Sequence, residues 1–249
     1  IDLDADGDIT TEDLDSGSDA GNGGAIDLVA RGNITTEGLN SSSGNSGNGG
    51  DIKLNADGGD ITTEGLNSSS GNQGNGGDIK LNADGGDITT PLATGGGKNV
   101  SFSGTNITIT NKDQQEDKNP DGDADVKWLA KNDITFKNIE GDVLEFMAGS
   151  GKIEFRADRN NDGAGIVRMD GEKDTIKTNG RDLTIIGAKL DLGNINTSSQ
   201  DGDGGDINLE ASHGHITTQN LNSRSNAGNG GNGGDINLEA SHGHITTQN

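Results

Sequence analysis

The sequence predicts an all-β protein wound as a parallel β-solenoid, and three observations carry that prediction. The segment GNGGDIKLNADGGDITT runs from Gly47 to Thr63 and recurs unchanged from Gly74 to Thr90. Its apolar residues Ile52, Leu54 and Ala56 alternate with Lys53 and Asn55, the period-two pattern of a strand with one buried face. Equivalent isoleucines follow one another at 25, 26, 27 and 29 residues, in the pairs Ile1/Ile26, Ile26/Ile52, Ile52/Ile79 and Ile207/Ile236. At such a period no unit buries its own apolar face, and stacking on a neighbour completes the core.

Each regular coil of about 25–29 residues reads the same way. DIKLNA is a first strand, the Gly/Asp cluster after it a turn, DITTEGL a second strand, and a short third segment lies near LNSS. Gly, Asn, Thr and β-branched residues fill the units and little in them favours helix. Parallel pairing of successive coils about 4.8 Å apart points Ile, Leu and Ala into a narrow interior. Like residues then lie above one another, so Asn and Thr form ladders. The drift in length falls in the Ser/Gly/Asn stretch, NSSSGNSGNGG after Leu39 against NSRSNAGNGGNGG after Leu221, where insertions loop outward.

Residues 1–90 and 200–249 are regular repeats, and residues 91–199 keep the strand pattern while losing the repeat. All four Phe, both Met and Trp128 lie in that middle part, which reads as irregular coils with a fatter core. Asn111 to Asp125 and Asp158 to Gly165 are expected to be loops leaving the stack. Six regular and four irregular coils make on the order of ten rungs, roughly 50 Å of rod.

Composition limits the function classes. Only 27% of the 249 residues are hydrophobic and 44 are Gly, enough for a thin aliphatic core and no more. Low hydrophobicity with a net charge of -23 also marks disordered chains, but a disordered linker has no reason to keep apolar residues in register. The charge disfavours nucleic acid and anionic membrane surfaces as partners. Disulfides and thiolate metal sites are impossible without Cys. No apolar run approaches the length of a membrane span, so membrane insertion is not expected. The chain starts and stops in mid-repeat without a signal peptide, the expectation for a piece of a longer or processed polypeptide.

Two acidic loops are candidate calcium sites. DKNPDGDAD sets Asp117, Asn119, Asp121, Asp123 and Asp125 at alternate positions, and DRNNDG sets Asp158, Asn160 and Asp162 before Gly163. Alternate oxygen-bearing side chains converge on a hard cation in the first half of a D-x-[DN]-x-D-G loop. Trp128 and Met169 stand where the twelfth-position Glu would be, and the competing reading is a pair of solvated turns. The calcium-binding nonapeptide roll does not fit, because Ile52 and Leu54 fill the places of its fourth-position Gly and sixth-position Asp. His213 and His215 recur as His242 and His244, which stacking would place within about 5 Å. Duplication of a coil explains the repetition, and a transition-metal site is the sharper alternative.

No constellation points to catalysis, and no cofactor is required. Carboxylates recur as decoration, Glu37 against Glu64 for example, without a singular pair. Thr35, Thr62 and Thr89 should stack as a single outward file, since ITT puts neighbouring threonines on opposite sides and leaves no paired ice-binding array. Asn40, Asn67, Asn106 and Asn196 open Asn-x-Ser/Thr triplets, which arise by chance in such repeats.

The patterns GNGGDI.L.A.GDITTEGLNSSSGN and TIKTNGRDLTIIGAKLDLGNINTSS resemble the repeats of the filamentous haemagglutinin family, in particular its cyanobacterial members secreted by the two-partner route. The resemblance covers nearly the whole chain and implies a right-handed parallel β-helix, export, and a structural or adhesive role at the bacterial cell surface. The expected function is an extracellular structural protein without catalysis, an adhesin shaft or a surface-fibre subunit. Self-association end to end or laterally, and a surface polysaccharide or a host or neighbouring cell surface, are the expected partners. The alternatives are a carbohydrate-active β-helix enzyme and a calcium-dependent surface-layer protein.

Overall fold

The structure, a computed structural model, describes residues 1–44, 47–70, 74–91, 99–110, 123–137, 143–171, 173–228 and 230–248. All regular structure among them is β, and every strand pair is parallel. The first strands of the coils form a ten-stranded sheet from Asp2–Ala5 to Ile236–Ala240, each strand pairing with its counterparts one coil before and after. The second strands form an eleven-stranded sheet that runs from Ile9–Thr11 to Ile245–Thr247, with Leu14–Asp15 pairing off its main path. A four-stranded third sheet comprises Val143–Glu145, Thr175–Lys177, Asn194–Asn196 and Leu221–Asn222. The protein is a β-solenoid ten strands deep in its first sheet.

Registers are set by the apolar residues. Ile26 pairs with Ile52, Leu28 with Leu54 and Ala30 with Ala56, and the next coil repeats all three matches. A one-residue slip would turn each of these buried side chains to solvent, at about 1.5–3 kcal/mol for each large aliphatic. In the middle coils the Leu file becomes Phe102, Trp128 and Phe155, all fully buried. The Trp128 ring lies 4.3 Å from Phe155 and 5.5 Å from Phe102, nearly parallel to each, and Phe136 and Phe146 pack on its flanks. The fatter core expected here is thus a stacked aromatic column, although one of the two methionines, Met147, lies outside it and is exposed.

Inside the second sheet the ITT motif alternates as its period demands. Thr36, Thr63, Thr90 and Thr218 are buried, and Ile109, Phe136 and Met169 take over that file in the middle coils. The first threonine of each motif faces out, and Thr10, Thr35, Thr62, Thr89, Thr108 and Thr135 form one unbroken file. The third segment is less separate than expected in two coils, because Ile34–Asn40 and Ile61–Asn67 are continuous strands that carry Leu39 and Leu66 into the core.

Several of the described coils are closed by a pair of hydrogen bonds. Ser41 Oγ donates to the Gly50 carbonyl at 2.6 Å, and Gly50 N donates back to the Ser41 carbonyl at 2.7 Å. Ser16 with Gly24, Ser68 with Gly77, Thr197 with Gly205 and Ser223 with Gly234 repeat the arrangement. The partners are 8, 9, 9, 8 and 11 residues apart in chain order for Ser16, Ser41, Ser68, Thr197 and Ser223, so the intervening residues vary while the closure stays fixed. The Gly is required by space, since a Cβ on Gly77 would fall 2.2 Å from the Gly50 carbonyl oxygen one coil below.

Candidate functional site

The two acidic loops fare differently. Asp117, Asn119 and Asp121 lie outside the described residues. Asp125 is not in a loop, because it opens the strand Asp125–Ala130, and its Oδ1 accepts the Lys152 amide one coil on at 2.8 Å. Asp123 is bound likewise, its Oδ1 accepting the Ser150 amide at 3.1 Å and the Ser150 hydroxyl at 2.9 Å. Those two bonds, backbone before side chain, hold its carboxyl below the usual value, and the Arg181 charge adds to them.

Asp158, Asn160 and Asp162 do not converge as three free ligands. Asp158 is buried at 5% exposure in a left-handed conformation, φ 57°, and its Oδ1 accepts the Gly163 amide at 3.2 Å. Asn160 Nδ2 donates to Asp162 Oδ2 at 2.7 Å, and Asp162 Oδ1 accepts the Ala164 amide at 3.0 Å. Asp158 N in turn donates to the Asn132 carbonyl at 3.1 Å, anchoring the loop to the coil below. This is the Asx chemistry of a tight turn. Among the described residues no three His, Asp or Glu side chains are placed to hold a metal ion.

Sequence reasoning missed how the remaining Asp and Asn side chains are used. At the corner before the second sheet, Asp8 Oδ1 accepts the Asn33 amide at 2.7 Å, Asn33 Oδ1 that of Asp60 at 2.9 Å, and Asp60 Oδ1 that of Asp87 at 2.8 Å. Asp87 and Asn106 continue the ladder to Asp133. The corner before the first sheet has its own ladder, in which Asp182 Oδ1 accepts from Asp206 N and Asp206 Oδ1 from Asp235 N. The alternation of Asp and Asn at one repeat position was its legible trace, because both offer the same acceptor. The four triplet asparagines are spent in ladders as well; Asn67 Nδ2 donates to Asn40 Oδ1, Asn106 Nδ2 to Asp87 Oδ1, and Asn222 Nδ2 to Asn196 Oδ1.

Arg181 is the other residue that pattern reading overlooked. It is 1% exposed and stands in the corner file that Gly50, Gly77, Gly151, Gly205 and Gly234 share with Ala124, and NGRD here replaces NGGD. Its side chain turns inward, Nε donating to the Gly151 carbonyl at 2.8 Å and Nη2 to that of Ala124, two coils down. Thr178 Oγ1 closes this coil by donating to the Arg181 carbonyl at 2.7 Å.

The stacked histidines are close to expectation. The His215 and His244 rings lie 5.3 Å apart and 10° from parallel, and the His213 and His242 rings 5.9 Å and 14°. The outer face of the first sheet carries a shallow depression lined by Lys152, Glu154, Arg156 and Asp182. Glu154 is engaged there by Lys127 at 3.2 Å and Arg156 at 3.3 Å, so it is neither an isolated acid nor paired with a second carboxylate. No helix among the described residues is long and apolar enough to cross a membrane. Searches for similar proteins found no match to this chain in any family model, any curated protein or any solved structure.

Proposed function

We propose that this chain is a mechanical element, a segment of an extracellular rod that serves as the shaft of an adhesin or as a subunit of a bacterial surface fibre. The observation that supports this most is the unbroken register of the first sheet, in which ten parallel strands stack coil upon coil. Main-chain hydrogen bonds in such a stack run along the rod axis, so tension is shared among many bonds in series and in parallel. Polar groups at the corners serve the same end, since the Asp and Asn ladders tie each coil to the next. The Asp and Asn side chains of these ladders are committed to coil-to-coil contacts.

Self-association, end to end or side by side, and a surface polysaccharide or neighbouring cell are the partners this reading calls for. Catalysis and a required cofactor form no part of it. Electron microscopy of the purified chain tests the reading; stiff rods or filaments of uniform width are expected, and flexible threads or compact globules would reject it. A lyase and hydrolase screen against polysaccharides addresses the carbohydrate-active alternative, and turnover would displace the structural reading. A melting shift on calcium chelation would favour the calcium-dependent surface-layer alternative.

A further inference from the structure

The two histidine pairs look alike in sequence but are chemically distinct. His215 Nδ1 accepts the His244 backbone amide at 2.9 Å, the role that Asp8, Asn33 and Asp60 play in the same corner ladder. A neutral imidazole that accepts at Nδ1 carries its proton on Nε2, and a protonated nitrogen has no lone pair to give a metal. His215 is therefore a ladder rung.

The other pair has the opposite polarity. His242 Nδ1 lies 3.0 Å from the Ser212 carbonyl, which only accepts, so Nδ1 holds the proton and Nε2 the lone pair. His213 Nδ1 lies 2.9 Å from the hydroxyl of the same serine, which directs its own hydrogen to the Gly187 carbonyl at 3.4 Å and so has a lone pair to accept the ring N–H. One residue thus holds both rings by Nδ1 and leaves the lone pairs on Nε2. A ring N–H donated to a carbonyl or similar acceptor is the outer-shell arrangement of metal-bound histidine. Gly163 stands close beside the His213 ring, where an added Cβ would lie 3.2 Å from it.

We propose that His213 and His242 form a two-imidazole clamp for a divalent transition-metal ion of the zinc, nickel and copper group, bridging two consecutive coils. Imidazole nitrogen suits these ions and not calcium. Two metal–nitrogen bonds of about 2.0–2.1 Å span at most about 4.2 Å. The rings stack 5.9 Å apart and must tilt together at their Nε2 ends, which both exposed side chains can do. Water completes the coordination, and the net charge of -23 draws cations toward the rod.

Calorimetric titration of the whole chain with zinc chloride tests the proposal, with circular dichroism to check that each variant keeps its β signal. One zinc per chain is expected. His213→Ala and His242→Ala should each weaken binding by at least about tenfold, while His215→Asn, which keeps the ladder acceptor, should leave it unchanged. Ser212→Ala, which removes the hydroxyl but keeps the carbonyl, should weaken it by less than either histidine variant. Absence of zinc binding, equal loss in His215→Asn, or displacement of zinc by equimolar calcium would each overturn the clamp. None of these results bears on whether the chain is a rod, which microscopy decides separately.

Discussion

Thr36 gives a stringent test of how this narrow core is built. It is 2% exposed, and its Oγ1 has no hydrogen-bond partner among the described residues. A buried hydroxyl without a partner costs about 1–3 kcal/mol in lost hydration. Thr36→Val replaces that hydroxyl with a methyl of similar size, in a file where Ile109 and Phe136 already stand a few coils on. The expected result is a gain of about 1–2 kcal/mol. Thr63, stacked directly on Thr36, is the control, because its Oγ1 donates to the Gly65 carbonyl at 3.1 Å. Thr63→Val gives up that bond and should be neutral or cost about 1 kcal/mol. Solenoid stability is a sum of nearest-neighbour terms, so amide hydrogen exchange of Ile34 and Ile61 is the fitting assay. Exchange should slow about fivefold or more in Thr36→Val, the factor that corresponds to about 1 kcal/mol. Faster exchange in Thr36→Val, or equal slowing in both variants, would refute the claim that the unpartnered hydroxyl destabilises this core.

Three further outcomes follow from the packing. Trp128→Ala should cost about 3–5 kcal/mol, read by urea denaturation, because the ring contacts four phenylalanines and its removal leaves a cavity in the aromatic column. Gly86→Ala should fold poorly or lose more than about 2 kcal/mol, since its Cβ would lie 1.9 Å from the Gly59 carbonyl oxygen, whereas Gly7→Ala meets nothing within 4 Å and should melt like the parent. Asp123→Asn should flatten the acid limb of a melting-temperature profile. The Ser150 bonds lower the Asp123 carboxyl from 3.8, so the ionised group contributes stability above that value and loses it as pH falls through the lowered one. The amide keeps the acceptor at every pH, and an unchanged acid limb would show that the bond does not matter.

Much of the fold was legible because the apolar residues encode it twice, once in the period of two and again in the coil-length repeat. Ile52, Leu54 and Ala56 could face only inward together, and Ile79, Leu81 and Ala83 could lie only above them. The inward and outward threonines of ITT followed from the same alternation. What escaped was the hydrogen bonding, which leaves a fainter trace. Ser41 and Gly50 close a coil across nine residues of turn-rich sequence, and neither letter is unusual there. The break from NGGD to NGRD at Arg181 was visible, but nothing in sequence says that the guanidinium turns inward to reach Gly151 and Ala124. The DRNNDG loop illustrates the opposite failure. Its spacing mimics a cation loop, yet the carboxylates of Asp158 and Asp162 each accept an amide of their own turn, a use that spacing alone cannot distinguish from ligation.

The acidity of the chain acquires a structural origin once the corners are seen. Asp8, Asp60, Asp87 and Asp133 share one edge of the solenoid, interleaved with Asn33 and Asn106, and Asp182, Asp206 and Asp235 share another. In each ladder bond one oxygen is tied to an amide of the next coil, while the charge stays at the surface. Asp and Asn are equivalent for that bond and differ only in charge, so charge accumulates along edges without reference to any ligand. Two rods approaching side by side therefore bring like-charged edges together, a repulsion that salt screens over about 10 Å at 0.1 M. Against it stands the outer face of the first sheet, where Lys53, Lys80 and Lys127 project from a single file. If edge repulsion governs lateral contact, bundles should thicken as sodium chloride rises from about 10 mM, where the screening length is about 30 Å, to about 1 M, where it is about 3 Å. Bundles that dissolve over that range would mean that the lysine face docks on an acidic edge and that attraction, not repulsion, sets the spacing of the rods.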